Sequence, residues 1–252
     1  MEILAAQLDD EQRAIAVDSA GSRLVLAGPG SGKTRLLTNV AAYQVRTSPA
    51  ARWRVLCVTF SVEATSEMRR RLSDPMLGVH RSRRLHVANF HQLGGHILHS
   101  YADQAGWPRN SQMLGEASEL MDEVIRDLKL GYDVRVPSVV TAIDRMRNAR
   151  PVATPPVPSA TLERIAEAYD ARKLERGLWD FNDLIIRTLE LLDKAPRVLG
   201  VLQKMFGYIV VDELQDTSGH QLELIARLSN EGQTPVFGVA DDDQMIYAWR
   251  DA

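Results

Sequence analysis

The chain has 252 residues, 45% of them hydrophobic and 25% charged, a balance that excludes a disordered or fibrous protein and leaves room for one or two domains with cores of their own. A single cysteine, Cys57, excludes an internal disulfide framework and a multi-cysteine metal site, and it fits a reducing compartment. The net charge of −3 neither demands nor forbids a polyanionic partner, because phosphate binding depends on local patches rather than on the sum.

From the start of the chain, Met1-Glu2-Ile3-Leu4 lacks the basic region and apolar run of a secretory signal. No stretch of ~18 apolar residues is available to span a bilayer, so no membrane partner is expected and the expected location is the cytoplasm. Five short apolar runs predict strands: Arg23 to Ala27, Arg54 to Phe60, Leu85 to Asn89, Gly207 to Val211 and Pro235 to Val239. Several are nearly continuous in Val, Ile and Leu, as in strands buried on both faces of a parallel sheet. Helical spacing follows most of them, over Lys33 to Arg46, Glu63 to Leu72, Asp180 to Leu192 and Gln221 to Leu228. Strand-then-helix alternation predicts an α/β doubly wound domain. From about Gly94 to Leu178 the periodicity is helical and no strand is expected, with the clearest helices over Met113 to Leu130 and Ala160 to Leu174. Between them, Pro151 to Pro158 holds four of the eleven prolines and predicts an extended connector. The expected organisation is an α/β domain, residues 1–93 plus 179–252, interrupted by a mostly helical domain at 94–178.

The strongest chemical signal is Ala27-Gly28-Pro29-Gly30-Ser31-Gly32-Lys33-Thr34, which follows a predicted strand and opens a predicted helix. Small residues let successive backbone N–H groups curl around phosphate oxygens, and the helix N-terminus adds positive potential. Lys33 would reach the β- and γ-phosphates and the Thr34 hydroxyl would ligate Mg²⁺. A second cluster, Asp212-Glu213 after the apolar Ile209-Val210-Val211, offers one carboxylate for the metal and a second to orient and deprotonate an attacking water. On its own such a pair is the solvated end of a strand; beside a phosphate loop, it completes a nucleotide site at the carboxyl ends of parallel strands. Near the end of the sequence, Asp241-Asp242-Asp243 reads as a solvated turn rather than a metal site. Gln244 can donate to a γ-phosphate oxygen, and Tyr247, Trp249 and Arg250 are suited to stacking on bases and gripping phosphate. Six arginines between Arg69 and Arg84, with Asp74 the only acid, form a basic patch that is either a solvated surface or a phosphate contact.

These residues resemble the amino-terminal motor domain of superfamily 1A DNA helicases, the UvrD/Rep family. Leu8 to Arg13 resembles the family's Q motif, in which Gln12 reads the adenine edge. Ala27 to Arg35 resembles its phosphate loop, with Arg35 beside the base. Thr59 to Leu72 is similar to motif Ia, Val87 to His91 to motif Ib, Asp180 to Leu184 to the block after the inserted domain, Val211 to Gln221 to motif II and Val239 to Ala252 to motif III. The resemblance implies a RecA-like P-loop NTPase sheet with an inserted helical domain and an ATP-dependent, 3′-to-5′ DNA helicase or translocase of the kind used in DNA repair. ATP and Mg²⁺ would be the cofactors and single-stranded or partly duplex DNA the partner, gripped by Phe60, His91, Tyr247, Trp249 and Arg250, with Gln244 linking the grip to the γ-phosphate. It also implies a second motor domain after motif III, so the chain is expected to be a fragment that hydrolyses nucleotide poorly alone. Two other readings stay open: a DNA-binding module without catalysis, and the helicase half of a nuclease–helicase or phage-defence system with an unknown partner.

The chain departs from the family where Ser61-Val62-Glu63 stands for Thr-Asn-Lys, where Asn89 replaces Thr and where Ala240 replaces Gly. The first of these weakens the expected strand contacts beside Phe60. His91, His96 and His99 lie on one helical stretch without a nearby cysteine, and no metal site is expected there. Cys57 is expected to be a small core hydrophobe, and Trp53, Trp107 and Trp179 core or rim packing.

Overall fold

The structure is a computed structural model that describes residues 8–18, 21–48, 52–108, 111–130, 134–147, 152 and 154–241. In chain order its elements are α1 (Asp10–Val17), β1 (Arg23–Leu26), α2 (Lys33–Thr47), β2 (Arg54–Thr59), α3 (Val62–Leu72), β3 (Leu85–Asn89), α4 (Phe90–Tyr101), β4 (Gln112–Met113), α5 (Ala117–Asp127), α6 (Val136–Arg147), α7 (Ser159–Glu175), β5 (Leu178–Trp179), α8 (Phe181–Lys194), α9 (Pro196–Met205), β6 (Phe206–Val211), α10 (Gly219–Leu228) and β7 (Val236–Ala240). They fall into two compact units, Met1–Leu93 with Pro196–Asp251, and Gly94–Ala195.

The first unit is built on a five-stranded parallel sheet in the order β1-β7-β6-β2-β3. All five predicted strands are present. One face carries Val55, Cys57, Tyr208, Val210, Phe237 and Val239 against Leu36, Leu37, Val40 and Ala41 of α2 and Met68 and Leu72 of α3. The Cys57 thiol lies between Val87 and Val210 in the sheet register, and burial pushes its pKa up to about 12, as befits a core side chain. β6 begins at a close approach: a Cβ on Gly207 would lie 2.3 Å from the Trp53 ring, so glycine alone fits there. The strand order decides where the site forms. The first and last strands are neighbours, pairing Leu26 with Ala240, and the Ala27 amide extends the ladder by donating to the Ala240 carbonyl at 3.0 Å. β6 lies on the far side of β7 and pairs with β2, where the Asp212 amide donates to the Val58 carbonyl at 2.9 Å.

The second unit is helical around Leu120, Met121 and Val124 of α5, Val139, Ala142 and Ile143 of α6, and Leu162, Ile165, Ala166 and Tyr169 of α7. Two short strands not expected from sequence, β4 and β5, pair in parallel here; two residues each are too few for alternation to be read. The described residues of the proline run are outside any helix. α8 is part of this unit, so the chain re-enters the first unit at Pro196 and not at 179. The physical reason lies in the Asp180–Asp183 capping box, which is joined to Lys173 of α7, and in Gly94, whose Cβ would come within 2.1 Å of the Leu184 carbonyl oxygen. Trp107 and Trp179 are buried, Trp107 under the Lys194 ammonium at 4.7 Å from its ring centre. Among the described residues no cluster of His, Cys, Asp and Glu has metal-binding geometry, and no helix is long and apolar enough to cross a membrane.

Candidate functional site

The glycine-rich loop runs from the end of β1 into α2. Gly30 (φ +76°) and Gly32 (φ +87°) take left-handed conformations that a side chain disfavours, and these turn the loop's backbone toward the start of α2. No acidic residue occupies the first turn of α2, so no side chain of that turn offsets the positive end of the helix. Around Gly32 two side chains converge: an added Cβ would meet Arg35 Nη2 at 3.0 Å and Gln12 Nε2 at 3.2 Å. Gln12 is brought there by α1, which Asp9 caps by accepting from the Gln12 amide at 2.8 Å. Its side-chain Nε2 donates to the Ser31 carbonyl at 2.7 Å, while its Oε1 and the Nε of Arg35 are buried without hydrogen-bond partners. A cavity of about 220 Å³ opens between Asp9, Gln12, Val25, Ser31, Lys33 and Leu36.

Lys33 is folded against the loop that carries it. Its Nζ donates to the Ala27 carbonyl at 3.0 Å, to the Gly28 carbonyl at 3.4 Å and to Asp241 Oδ2 at 2.9 Å. The Thr34 hydroxyl donates to Asp212 Oδ2 at 3.3 Å. Burial, then the neighbouring Glu213 carboxylate, pushes the Asp212 pKa up to about 6. Glu213 itself has φ +50°, a left-handed backbone carried by a non-glycine residue. The Gln215 side chain spans the gap: its Nε2 donates to Glu213 Oε2 at 2.7 Å, and its Oε1 accepts from the Asp241 amide at 3.1 Å. The structure therefore brings together Gln12, Ala27, Gly28, Lys33, Thr34, Arg35, Asp212 and Glu213, with Pro29, Gly30 and Ser31 forming the exposed outer turn. Gln244 lies outside the described residues.

Two participants were not singled out from sequence. Asp241 reads as a solvated turn residue, yet it is 1% exposed; it directly continues an apolar strand, which keeps it inside. Gln215 falls within the segment that resembles motif II, but no role of its own was assigned to it.

Of the expected DNA contacts, Phe60 follows β2 with 49% of its surface exposed. His91, in the first turn of α4, is half-buried, and desolvation lowers its pKa. Tyr247, Trp249 and Arg250 lie outside the described residues. Between Phe60 and α3, Ser61 caps the helix by accepting from the Ala64 amide at 3.0 Å, while Val62 and Glu63 point outward. The basic patch divides. Arg70 and Arg71 bind Glu67, Arg69 donates to the Val87 carbonyl, and Arg84 donates to the carbonyls of Val45, Ser48 and Trp53 while lying over the Trp53 ring. Arg81 and Arg83 are exposed.

A family model described as the UvrD/REP helicase N-terminal domain matches residues 8–252. The chain is similar to ATP-dependent DNA helicase PcrA of Leuconostoc citreum, 34% identical over 100% of this chain and 35% of that protein. It is also similar to ATP-dependent DNA helicase PcrA of Bacillus subtilis, 32% identical over 99% of this chain and 34% of that protein. DNA helicase II of Haemophilus influenzae is 32% identical over 97% of this chain and 35% of its own length. The chain thus spans about a third of the length of the curated relatives it matches.

Proposed function

The chain belongs to the UvrD/REP helicase family, matched over residues 8–252, and from that premise we propose that it is the ATP- and strand-binding part of an ATP-dependent DNA helicase or translocase moving 3′ to 5′. The observation that carries this reading is the meeting of a phosphate loop, a buried lysine and two strand-end carboxylates at one end of one sheet. Gln12 Oε1 is a buried acceptor in need of a donor, which the exocyclic amine of adenine supplies, and Arg35 flanks the same place. The backbone amides of Gly28 to Gly32 and the start of α2 take the phosphates, and Lys33 turns from its own loop to the β- and γ-phosphates.

The oxygen pair of Thr34 and Asp212, 3.3 Å apart, suits a hard cation such as Mg²⁺. Those two residues would hold it, and its chemistry there is to neutralise charge on the β- and γ-phosphates. Glu213 orients water for in-line attack and takes its proton as the bond to the β-phosphate bridge breaks. Phe60 and His91, with Tyr247, Trp249 and Arg250, hold single-stranded DNA, and Gln244 links that grip to the γ-phosphate. The functional division is proposed as the sequence motifs give it, motor residues 1–93 and 179–252 with 94–178 as an insert, so that α8, which packs in the helical unit, is counted with the motor for its motif alone. An arginine from a second motor domain, as the family resemblance implies, would complete the transition state. Such a group typically contributes ~10³–10⁵ in rate, so full turnover is assigned to the longer assembly.

Lys33→Ala tests the reading. Titration with a fluorescent ATP analogue should show affinity reduced by about 100-fold or more, the loss of a direct charge-assisted contact. Unchanged affinity in this variant overturns the site, and DNA binding that persists without any nucleotide binding would favour a DNA-binding module instead.

A further inference from the structure

The Lys33 ammonium has three N–H donors, and the protein itself supplies three acceptors: the Ala27 and Gly28 carbonyls and the Asp241 carboxylate. The side chains of Lys33 and Asp241 are only 9% and 2% exposed, so this ion pair is little screened by water. A phosphate that reaches Lys33 must take the place of one of these acceptors. The two carbonyls belong to the loop that wraps the phosphate, whereas Asp241 directly follows another strand, β7, and bears the same sign of charge as the phosphate. Asp241 is therefore the acceptor that leaves. Its departure is not silent, because its amide donates to Gln215 Oε1 at 3.1 Å, and the same Gln215 side chain holds Glu213 Oε2 at 2.7 Å. Glu213 is held there on a left-handed backbone at φ +50°, a conformation that needs its surroundings to persist.

We propose that Asp241 is a positioning residue that competes with the incoming phosphate for Lys33, and that Gln215 transmits its displacement to the Glu213 carboxylate. The order of events is then built into the strand order: phosphate capture at β1 and α2 releases the end of β7, and that release resets the water-activating group at the end of β6. The proposal rests on the phosphate-binding reading of Lys33 and goes beyond it by assigning a competitor to that lysine.

The sign of the effect makes it testable, since a residue with a merely structural role weakens binding when altered. In Asp241→Asn the competitor loses its charge, and ATP affinity should rise by about tenfold or more, whereas adenosine, which never reaches Lys33, should bind as before. Gln215→Ala should leave ATP affinity within about twofold and slow single-turnover hydrolysis by roughly tenfold. Circular dichroism checks folding, and Asp241→Ser carries the same test if the asparagine variant does not fold. ATP affinity that is unchanged or weaker in folded Asp241 variants overturns the competition, and unaltered hydrolysis in Gln215→Ala overturns the transmission. The two levels separate cleanly. If the unsubstituted protein binds ATP and Lys33→Ala does not, the nucleotide site stands even when Asp241→Asn shows no gain; if neither binds, the site itself falls.

Discussion

Each unit of the molecule buries a lysine against carboxylates, and the two clusters differ in a way that separates function from architecture. In the helical unit Lys173, 1% exposed, contacts Asp170 at 3.2 Å, Asp180 at 2.7 Å and Asp183 at 2.6 Å, and its charge lies 4.6 Å from the centre of the Tyr169 ring. Arg147 adds a second cation on Asp170 and Asp180. Burial alone would raise the Asp180 pKa, but Lys173 and Arg147 outweigh it and hold the group below its ordinary value. Burial and the Asp180 charge hold Asp183 above its own. Lys33 has instead a single carboxylate and two carbonyls of a glycine-rich turn. Three fixed carboxylates leave no place for an external anion; one carboxylate and a turnable loop do. Burial of a charge is thus no sign of a site by itself. What matters is whether its partners are replaceable.

The largest expected effect breaks the closed cluster. Lys173→Met leaves Asp170, Asp180 and the buried Asp183 with Arg147, and with Arg187 at 3.8 Å from Asp183, as their remaining cations, and removal of one partner from such a cluster costs about 3–5 kcal/mol. Urea denaturation should show that loss, while the ATP affinity of the folded variant stays at the unsubstituted level. A lower ATP affinity at full occupancy of the folded state would contradict the division of roles between the two lysines. The next effect is steric. Gly94→Ala would force a Cβ to 2.1 Å from the Leu184 carbonyl oxygen, a backbone atom that cannot rotate away, so overpacking of about 1–3 kcal/mol is expected from the same denaturation experiment. Stability equal to that of the unsubstituted protein would mean that α4 and α8 lie farther apart than described.

How much of this was legible in the sequence depends on the range of the signal. The β1 loop and the end of β6 announce themselves by local spacing, and the five strands by continuous apolar runs, because strands covered on both faces have no alternation to confuse. The closed cluster did not announce itself: Lys173, Asp180 and Asp183 sit on two elements, and nothing local marks which charged residues of an amphipathic helix will be turned inward. The same blindness hid Asp241. Three aspartates in a row look solvated, yet the first continues β7 and is carried beneath the surface by pairing in the sheet, a contact of the last strand with the first. The placement of α8 in the helical unit was invisible for a related reason, since a helix with an apolar stripe does not state which core that stripe meets. The remaining expected residues, Gln244, Tyr247, Trp249 and Arg250, lie beyond the described part of the chain.

The smallest effect comes from a charged cluster that is open to water. Glu67 holds Arg70 and Arg71 across one turn of α3, and the hydrogen bonds from Arg70, then Arg71, lower its pKa from 4.5 to about 2. A carboxylate whose folded-state pKa lies below its unfolded value adds stability above the unfolded value and loses it as pH falls toward the folded one. Here that window runs from about pH 4.5 down to about pH 2. Because the group is exposed, screening keeps the contribution small. Glu67→Gln should therefore melt slightly below the unsubstituted protein at pH 7, and the gap should be smaller in 0.5 M salt. It should close as the pH is lowered through that window, and a gap that widened instead would show that the glutamate acts through packing rather than charge. The contrast with Lys173→Met is the point of the measurement: both residues bridge two or more opposite charges, and only the one shut away from solvent should govern whether the chain stays folded.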